Sequence, residues 1–210
     1  MNFFAPDARK AAFVVIDMQN FSCIPADGKP MPGLNVVIER INRLAGICRE
    51  NDVPVIWVRH NISSKGGVDD GGLYSLFHDK ERTQAVLNRC EGTEIYREMD
   101  IDYSRDHVVF KNRYSAFLSN PPELQDKIEV LGRRQLLIAG IAANVCVEST
   151  LRDAMQLDYE VVLVSDGTTA PDEAMLENTL TNTRLFFGDV QKVDEIAVNL
   201  MKRKPKEDKP

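Results

Sequence analysis

Short, uniformly apolar segments alternate with longer amphipathic segments along most of this chain, and this alternation limits the folds that it can adopt. The apolar segments, rich in β-branched residues, predict strands at residues 12–17, 54–58, 107–110, 136–139 and 161–164. Apolar positions spaced near 3.6 residues predict helices at 34–49, 124–131, 145–157, 173–186 and 193–201, and residues 188–192 are expected to hold a short edge strand.

Strands that are apolar throughout, rather than alternately apolar and polar, indicate a parallel sheet covered on both faces. The strand–helix order therefore predicts a three-layer αβα sandwich with right-handed crossovers. The length of 210 residues suits one domain, which we expect to span residues 1–201. Residues 61–80 contain two glycine pairs and predict a mobile flap or a subunit contact, and the charged tail 202–210 is expected to be disordered.

The composition excludes several classes of function. A formal net charge of −6 disfavours nucleic acid or anionic membrane as a partner. No apolar stretch is long enough to span a bilayer, and charged residues occupy the place of a secretory signal. The four cysteines form no CxxC pair and no disulfide framework. These features are typical of a reduced, cytoplasmic protein, in which a single cysteine can act as a nucleophile.

Three polar residues follow predicted strands, and ligands of open parallel sheets bind beyond the carboxyl ends of the strands. Asp17 closes the first strand, Lys111 closes the third, and Cys146 lies at the start of the helix after the fourth. A helix N-terminus and a nearby ammonium lower a thiol pKa, so we expect an ionised Cys146. Asp17 would then exchange protons with the thiol and the leaving group, and backbone N–H groups of residues 142–146 would bind an oxyanion.

Each of these residues also has an ordinary structural interpretation. A cysteine in an apolar helix is usually a small buried hydrophobic side chain. An aspartate after a strand commonly stabilises a turn, and a lysine there is commonly a surface charge.

Three sequence blocks resemble the signature blocks of the isochorismatase-like cysteine hydrolases. They are VVIDMQN at 14–20, KNRYSAF at 111–117 and GIAANVCVESTLRDA at 140–154. The blocks occur in the family's order, each contains one of the three polar residues, and the resemblance extends over nearly the whole chain.

The resemblance implies a mostly parallel six-stranded sheet and a catalytic triad of Asp17, Lys111 and Cys146. It also implies a cis peptide before Ala142, and an oxyanion hole formed by the N–H groups of Ala142 and Cys146. The expected reaction is attack of the sulfur on an amide or ureido carbonyl, loss of ammonia or an amine, and hydrolysis of the thioester. No cofactor is implied, the partner is a small-molecule substrate, and a homo-oligomer (dimer or tetramer) is expected.

Differences within the family narrow the substrate. True isochorismatases characteristically lack the cysteine, so Cys146 argues against that activity. Nicotinamidases carry an Asp-x-His metal motif after the second strand, where this chain has Arg59, His60 and Asn61. We therefore predict no metal, although His60 is a candidate to line the pocket. The blocks are most similar to those of the ureidoacrylate, biuret and N-carbamoyl amidohydrolases.

This similarity gives a set of candidate substrate-binding residues: Gln19, Phe21, Arg113, Tyr114 and Asn144. Arg113 would suit a substrate carboxylate but could equally pair with Glu148, and Gln19 could equally stabilise a turn. Trp57 and Phe117 are further candidates for the pocket wall, with core packing as the commoner alternative. Ala143 departs from the family, which usually has Thr or Ser there to brace the turn or contact the substrate.

Two other functions remain open from the sequence. The same triad would serve hydrolysis of a small amide outside the ureido class. A family member that only binds a small ligand is the non-enzymatic alternative, which the complete triad disfavours and Ala143 slightly favours.

Overall fold

The structure is a computed structural model that describes residues 2–25 and 27–201. Its strands are β1 (Ala11–Ile16), β2 (Val55–His60), β3 (Ser64–Lys65), β4 (Val68–Asp69), β5 (His107–Lys111), β6 (Gln135–Gly140), β7 (Glu160–Thr168) and β8 (Asp189–Gln191). Its α-helices are α1 (Asn20–Cys23), α2 (Leu34–Glu50), α3 (Tyr74–Phe77), α4 (Lys80–Gln84), α5 (Glu123–Val130), α6 (Glu148–Gln156), α7 (Glu173–Asn182) and α8 (Val193–Met201). A 3-10 turn (Glu91–Thr93) and two π-helical turns (Ala143–Val147 and Thr183–Phe187) are also present.

Strand β1 shows why the fold has three layers, because all six of its residues are fully buried. Its odd-numbered residues, such as Phe13, pack with α2 and α8 in one apolar core. Its even-numbered residues, such as Val14, pack with α5, α6 and α7 in a second core. Alternate side chains of a strand point to opposite faces, so a strand between two helical layers must be apolar throughout. The predicted αβα sandwich is confirmed.

The main sheet has six strands in the order β5-β2-β1-β6-β7-β8, and every neighbouring pair is parallel. From β1 the chain builds outward through β2 and β5, then returns to β6 on the other side of β1 and continues outward to β8. The boundary between β1 and β6 is therefore the topological switch point, where the connections leave a crevice at the carboxyl edge. The predicted six-stranded parallel sheet is confirmed, including the short edge strand.

Several elements differ from their predicted bounds. β2 runs on to His60, and β7 continues past a register shift to Thr168. The helix predicted at 145–157 starts as a π-helical turn, and the helix predicted at 173–186 ends as one. Residues 61–80 hold a small hairpin (β3–β4) and helix α3. The tail 202–210 lies outside the described residues. Among the described residues, no helix combines the length and apolarity needed to cross a bilayer.

Gly140 allows the two strands at the switch point to approach each other. It pairs with Ile16, and its φ of +117° lies in a region that side-chain-bearing residues rarely adopt. A Cβ atom at this position would overlap the Ile16 carbonyl oxygen. The end of β6 can therefore carry only glycine if the following turn is to lie against β1.

We predict that Gly140→Ala destabilises the protein by about 3 kcal/mol or more, because backbone strain and overpacking add. Gly46→Ala is the matched control: Gly46 lies inside α2, and no heavy atom would meet its new Cβ within 4 Å. The control should be neutral or stabilising by about 0.5–1 kcal/mol. Urea unfolding of both variants measures the difference, and equal effects would contradict the close-approach argument.

Candidate active site

Asp17 is the first residue beyond β1, at the carboxyl edge of the sheet. Its N–H donates to the Val58 carbonyl at 3.0 Å, and its φ is +51°, in the left-handed region. The residue is only 1% exposed. The turn thus places a carboxylate inside the protein beside the switch point, and burial raises the pKa of Asp17 above its usual value of 3.8.

Lys111, the last residue of β5, reaches Asp17 from the far side of β2. Its Nζ lies 2.8 Å from Asp17 Oδ2, and the side chain of Lys111 is completely buried. The ammonium also donates to the carbonyls of Arg113 and Tyr114, both at 3.0 Å. Burial is the largest single influence and lowers the pKa of Lys111, but Asp17 and Cys146 together outweigh it, so the net shift of the pKa is upward. Lys111 is therefore a fixed cation.

Cys146 lies in the π-helical turn that follows β6, so it does not sit on a regular α-helix. The peptide Ile141–Ala142 that enters this turn is cis, as the resemblance implied. The Ala142 carbonyl accepts from the N–H groups of Val145 (3.1 Å) and Val147 (3.3 Å), on either side of Cys146 in the chain. The Ala142 N–H has no hydrogen-bond acceptor among the described residues. It is available to a ligand.

The expectation of a lowered thiol pKa is wrong. Burial raises the pKa of Cys146 to about 12, and the Asp17 carboxylate adds to this shift; Lys111 acts in the opposite direction but does not compensate. The thiol is therefore neutral at neutral pH. Attack by this sulfur requires that a base removes the proton during the reaction, and Asp17 is the carboxylate placed beside it.

This arrangement predicts the pH dependence of any hydrolysis at Cys146. A protonated Asp17 cannot accept the thiol proton, so kcat/KM should fall about tenfold per pH unit below the Asp17 pKa. Because that pKa is raised, the acid limb should lie above pH 3.8. With the thiol pKa near 12, kcat/KM should stay level between about pH 7 and pH 10. A kcat/KM profile in chelator-treated buffer tests this, and a rise near pH 8.5, the ordinary thiol value, would contradict it.

Asp17 and Cys146 line a cavity of about 450 Å³ that opens at the switch point. Aromatic side chains form part of its wall, and the cations Lys29 and Arg82 lie along it. A larger cavity of about 830 Å³ adjoins it and shares Phe21 and Arg82, but among the described residues that line it the catalytic candidates do not appear. The smaller cavity is therefore the candidate active site.

His60, at the end of β2, belongs to this site. It is not a core histidine whose ring nitrogens are both hydrogen-bonded within the protein. It is 2% exposed, lines the cavity and has no hydrogen-bond partner at Nε2 among the described residues. Burial lowers the pKa of His60 well below 6.5, with Lys111 contributing, so the ring is neutral. A ring nitrogen of His60, an Asp17 carboxylate oxygen and Cys146 Sγ all lie within 4.8 Å of one another. These three groups are the residues of the site that could hold a metal ion.

The neighbours of His60 do not form the nicotinamidase type of metal motif. Arg59 pairs with Glu94 at 2.6 Å, and Asn61 Oδ1 accepts from the Arg89 N–H at 2.6 Å. Both side chains therefore serve the surrounding loops.

Two of the candidate substrate-binding residues lie in the cavity wall. Phe21 and Tyr114 both line it, and a hydrogen bond of 2.8 Å joins the Tyr114 hydroxyl to His78 Nε2. Tyr74, from the segment 61–80, completes this aromatic wall and lies 5.1 Å from the His60 ring, centroid to centroid. Tyr74 and Arg82 were not predicted from the sequence. For Tyr74, an aromatic residue in the glycine-rich segment 61–80 was the available signal.

The other three candidates lie elsewhere. Gln19 is fully buried, and its amide donates to the carbonyls of His60 and Thr93 and accepts from the His60 N–H, so it has no group left for a substrate. The Arg113 guanidinium binds the carbonyls of Asp70 and Asn112. Among the described residues, Arg113 neither lines the cavity nor forms an ion pair with Glu148. Asn144 Nδ2 contacts Met175 Sδ at 3.4 Å, against α7. These assignments are corrected.

The aromatic residues Trp57 and Phe117 pack in the apolar cores, which is the commoner of the two alternatives that the sequence left open. Trp57 Nε1 donates to Asp106 Oδ2 at 2.9 Å, and the Phe117 ring packs against Tyr159. Ala143 is fully buried, and its turn is braced from β7. Thr168 Oγ1 donates to the Gly140 carbonyl at 2.7 Å, and the Thr169 carbonyl accepts from the Ala143 N–H at 2.8 Å.

Comparison with known proteins gives the family of this chain. Residues 11–195 match the Isochorismatase domain family. The chain belongs to the isochorismatase family. Among its relatives, Nicotinamidase 3 of Arabidopsis thaliana is 33% identical over 198 residues, covering 93% of this chain and 91% of the relative. Ureidoacrylate amidohydrolase RutB of Methylorubrum extorquens is 33% identical over 204 residues, covering 89% and 81%.

The isochorismatase-family fold is also seen in solved structures. A cysteine hydrolase from Pseudomonas syringae pv. phaseolicola superimposes with a TM-score of 0.81 at 23% identity, covering 96% of this chain and 97% of the other. An isochorismatase family protein from Burkholderia thailandensis gives a TM-score of 0.75 at 25% identity, covering 92% and 96%.

Proposed function

We propose that this isochorismatase-family protein hydrolyses a C–N bond in a small amide or ureido (N-carbamoyl) compound, with Cys146 as the nucleophile. One observation carries the proposal: the Asp17–Lys111 ion pair of 2.8 Å is buried at the same crevice as the Cys146 thiol. A buried ion pair beside a sulfur has little use in a packing role, because burying charges costs free energy that apolar side chains would not cost.

The proposed reaction begins when Asp17 takes the proton of Cys146 as Sγ bonds to the substrate carbonyl carbon. The N–H groups of Ala142 and Cys146 hold the resulting oxyanion. Asp17 then gives its proton to the departing nitrogen, the C–N bond breaks, and ammonia or an amine leaves a thioester on Cys146. Water attacks the thioester with Asp17 again accepting a proton, and the thiol is restored as the acid product leaves. Lys111 keeps its charge throughout and stabilises the ionised Asp17.

The cavity supports a ureido acid as the substrate. Its volume of about 450 Å³ suits a small molecule. The aromatic wall of Phe21, Tyr74 and Tyr114 suits a planar, conjugated group, while Lys29 and Arg82 suit a carboxylate. The relative named ureidoacrylate amidohydrolase is consistent with this class.

A second candidate is hydrolysis of an aromatic amide, which the aromatic wall also favours. The relative named nicotinamidase is as similar to this chain as the ureidoacrylate amidohydrolase, at 33% identity. A non-catalytic, ligand-binding role is the remaining alternative.

An ammonia-release screen separates these functions. The panel contains ureido acids, biuret, carbamoyl amino acids, nicotinamide and simple amides, with Cys146→Ala as the blank. We expect the highest kcat/KM for a ureido acid, and Arg82→Gln should raise KM for that substrate more than for neutral biuret. Faster release from nicotinamide would favour the second candidate. Binding without any ammonia release would favour the non-catalytic role.

We also propose that the protein forms a homo-oligomer, a dimer or a tetramer, as the family resemblance implies. Large apolar side chains exposed on α3, Leu76 and Phe77 at 75% each, support this. Sedimentation equilibrium measures the subunit number.

A further inference from the structure

Three different donor types meet beside the active-site cavity. A carboxylate oxygen of Asp17, a ring nitrogen of His60 and Sγ of Cys146 lie within 4.8 Å of one another. They come from the ends of three separate elements: the residue after β1, the last residue of β2, and the π-helical turn after β6. All three residues are buried, with exposures of 1%, 2% and 8%. Such a constellation is fixed by the sheet rather than by a flexible loop.

The proposed hydrolysis leaves His60 unexplained. Its Nε2 atom is buried and has no hydrogen-bond partner among the described residues, whereas the neighbouring Asp17 carboxylate interacts with the Lys111 ammonium and the Cys146 thiol. Buried polar atoms normally have a partner in the protein or in a bound ligand. A neutral imidazole beside a thiol and a carboxylate therefore points to a ligand that bonds to all three.

We infer that Asp17, His60 and Cys146 form an inhibitory binding site for a single thiophilic divalent cation, of which Zn²⁺ is the best match. Zn²⁺ accepts sulfur, nitrogen and carboxylate oxygen together, at about 2.3, 2.0–2.1 and 2.0–2.2 Å. These bond lengths in a tetrahedron separate the donor atoms by roughly 3.3–3.8 Å. The three donors lie within 4.8 Å of one another, so each pair needs to approach by at most about 1.5 Å to reach these separations. Mg²⁺ and Ca²⁺ prefer oxygen donors and fit poorly.

The Asp17 carboxylate has one oxygen for each cation. Oδ2 keeps the ion pair with Lys111, while Oδ1 is available to the metal. Binding replaces the thiol proton of Cys146 by the Zn–S bond, and that proton is released to solvent. The metal-bound sulfur is then withheld from substrate, and because Asp17, His60 and Cys146 all line the cavity, the metal would lie where the substrate would bind. Zinc and substrate therefore compete for the same place.

Metal titration of the full-length, chelator-treated protein in the absence of substrate tests this inference independently of the hydrolytic activity. Co²⁺ reports the sulfur bond through its sulfur-to-cobalt charge-transfer absorption, and competition by Zn²⁺ gives the Zn²⁺ affinity. We expect one metal per chain, one proton released, and no charge-transfer band in Cys146→Ser. Since loss of a residue that merely supports a ligand weakens metal binding by about 10–100-fold, His60→Gln should weaken it by more than about 100-fold.

His107→Gln is the matched control, because His107 begins β5, at the opposite end of that strand from Lys111. It should bind metal like the parent protein. Circular dichroism checks the fold of each variant, and Asp17→Asn provides a second ligand variant if His60→Gln does not fold. A charge-transfer band that persists in Cys146→Ser, or parent-like affinity in both His60→Gln and Asp17→Asn, overturns the site. Stimulation of hydrolysis by Zn²⁺ overturns the inhibition.

Discussion

Replacement of Cys146 by alanine is expected to abolish hydrolysis while the protein stays folded. Removing the nucleophile of a triad hydrolase leaves only substrate binding and oxyanion stabilisation, so the loss in kcat should reach at least about 10⁴-fold. The change removes one buried sulfur atom, 8% exposed, from the edge of an apolar core. The melting temperature should therefore change little compared with the activity.

Cys90→Ala is the matched control for this variant. Cys90 is partly buried, and among the described residues its thiol donates to the Gln84 and Ala85 carbonyls, outside the cavity of Cys146. Its removal should leave turnover close to that of the parent. Mass spectrometry after rapid acid quenching should show an acyl adduct on Cys146 alone. Hydrolysis retained in Cys146→Ala, or an adduct on another cysteine, would show that the nucleophile lies elsewhere.

The second large effect is expected from Lys111→Met, which should both inactivate and destabilise the protein. The substitution leaves the Asp17 carboxylate buried without its cation, and breaking a buried ion pair from one side costs about 3–5 kcal/mol. Chemical denaturation measures the free energy of unfolding. The exposed pair of Arg43 and Asp194 provides the control, since Arg43→Met should cost less than about 1 kcal/mol.

A double variant separates stability from activity at this pair. Asp17→Asn combined with Lys111→Met removes both charges, so much of the lost stability should return while activity stays absent. A double variant as unstable as the sum of the two single variants would show that the charges do not interact across the 2.8 Å contact.

The fold was predictable because its main determinant is local. A strand such as β1, apolar at every position, can bury both of its faces only between two helical layers. The apolar pattern is directly readable in the sequence. Helix ends were less predictable. The π-helical turns at Ala143–Val147 and Thr183–Phe187 depart from the regular 3.6-residue period on which the helix predictions were based.

The catalytic candidates were predictable because they lie at or shortly after the carboxyl ends of predicted strands. Asp17 and Lys111 met that condition, and the crossover topology brought them to Cys146. Gln19 also follows β1, but its side-chain amide is hydrogen-bonded to the β2 backbone at His60. No sequence pattern reveals these hydrogen bonds. The raised pKa of Cys146 could not be predicted from the sequence either. Burial raises this pKa more than the Lys111 charge lowers it, and the degree of burial is known only from the structure.

The left-handed backbone conformation of Asp17 puts selection for stability in conflict with selection for catalytic turnover. A side-chain-bearing residue at φ of +51° costs the folded state roughly 1 kcal/mol compared with glycine, and asparagine tolerates this conformation as well. Directed evolution that selects only for heat resistance should therefore recover Gly or Asn at position 17 only together with an uncharged residue at position 111, because either change alone leaves one charge buried without its partner. Those proteins would be robust and inert, so selection on this scaffold has to score chemistry and thermal tolerance together.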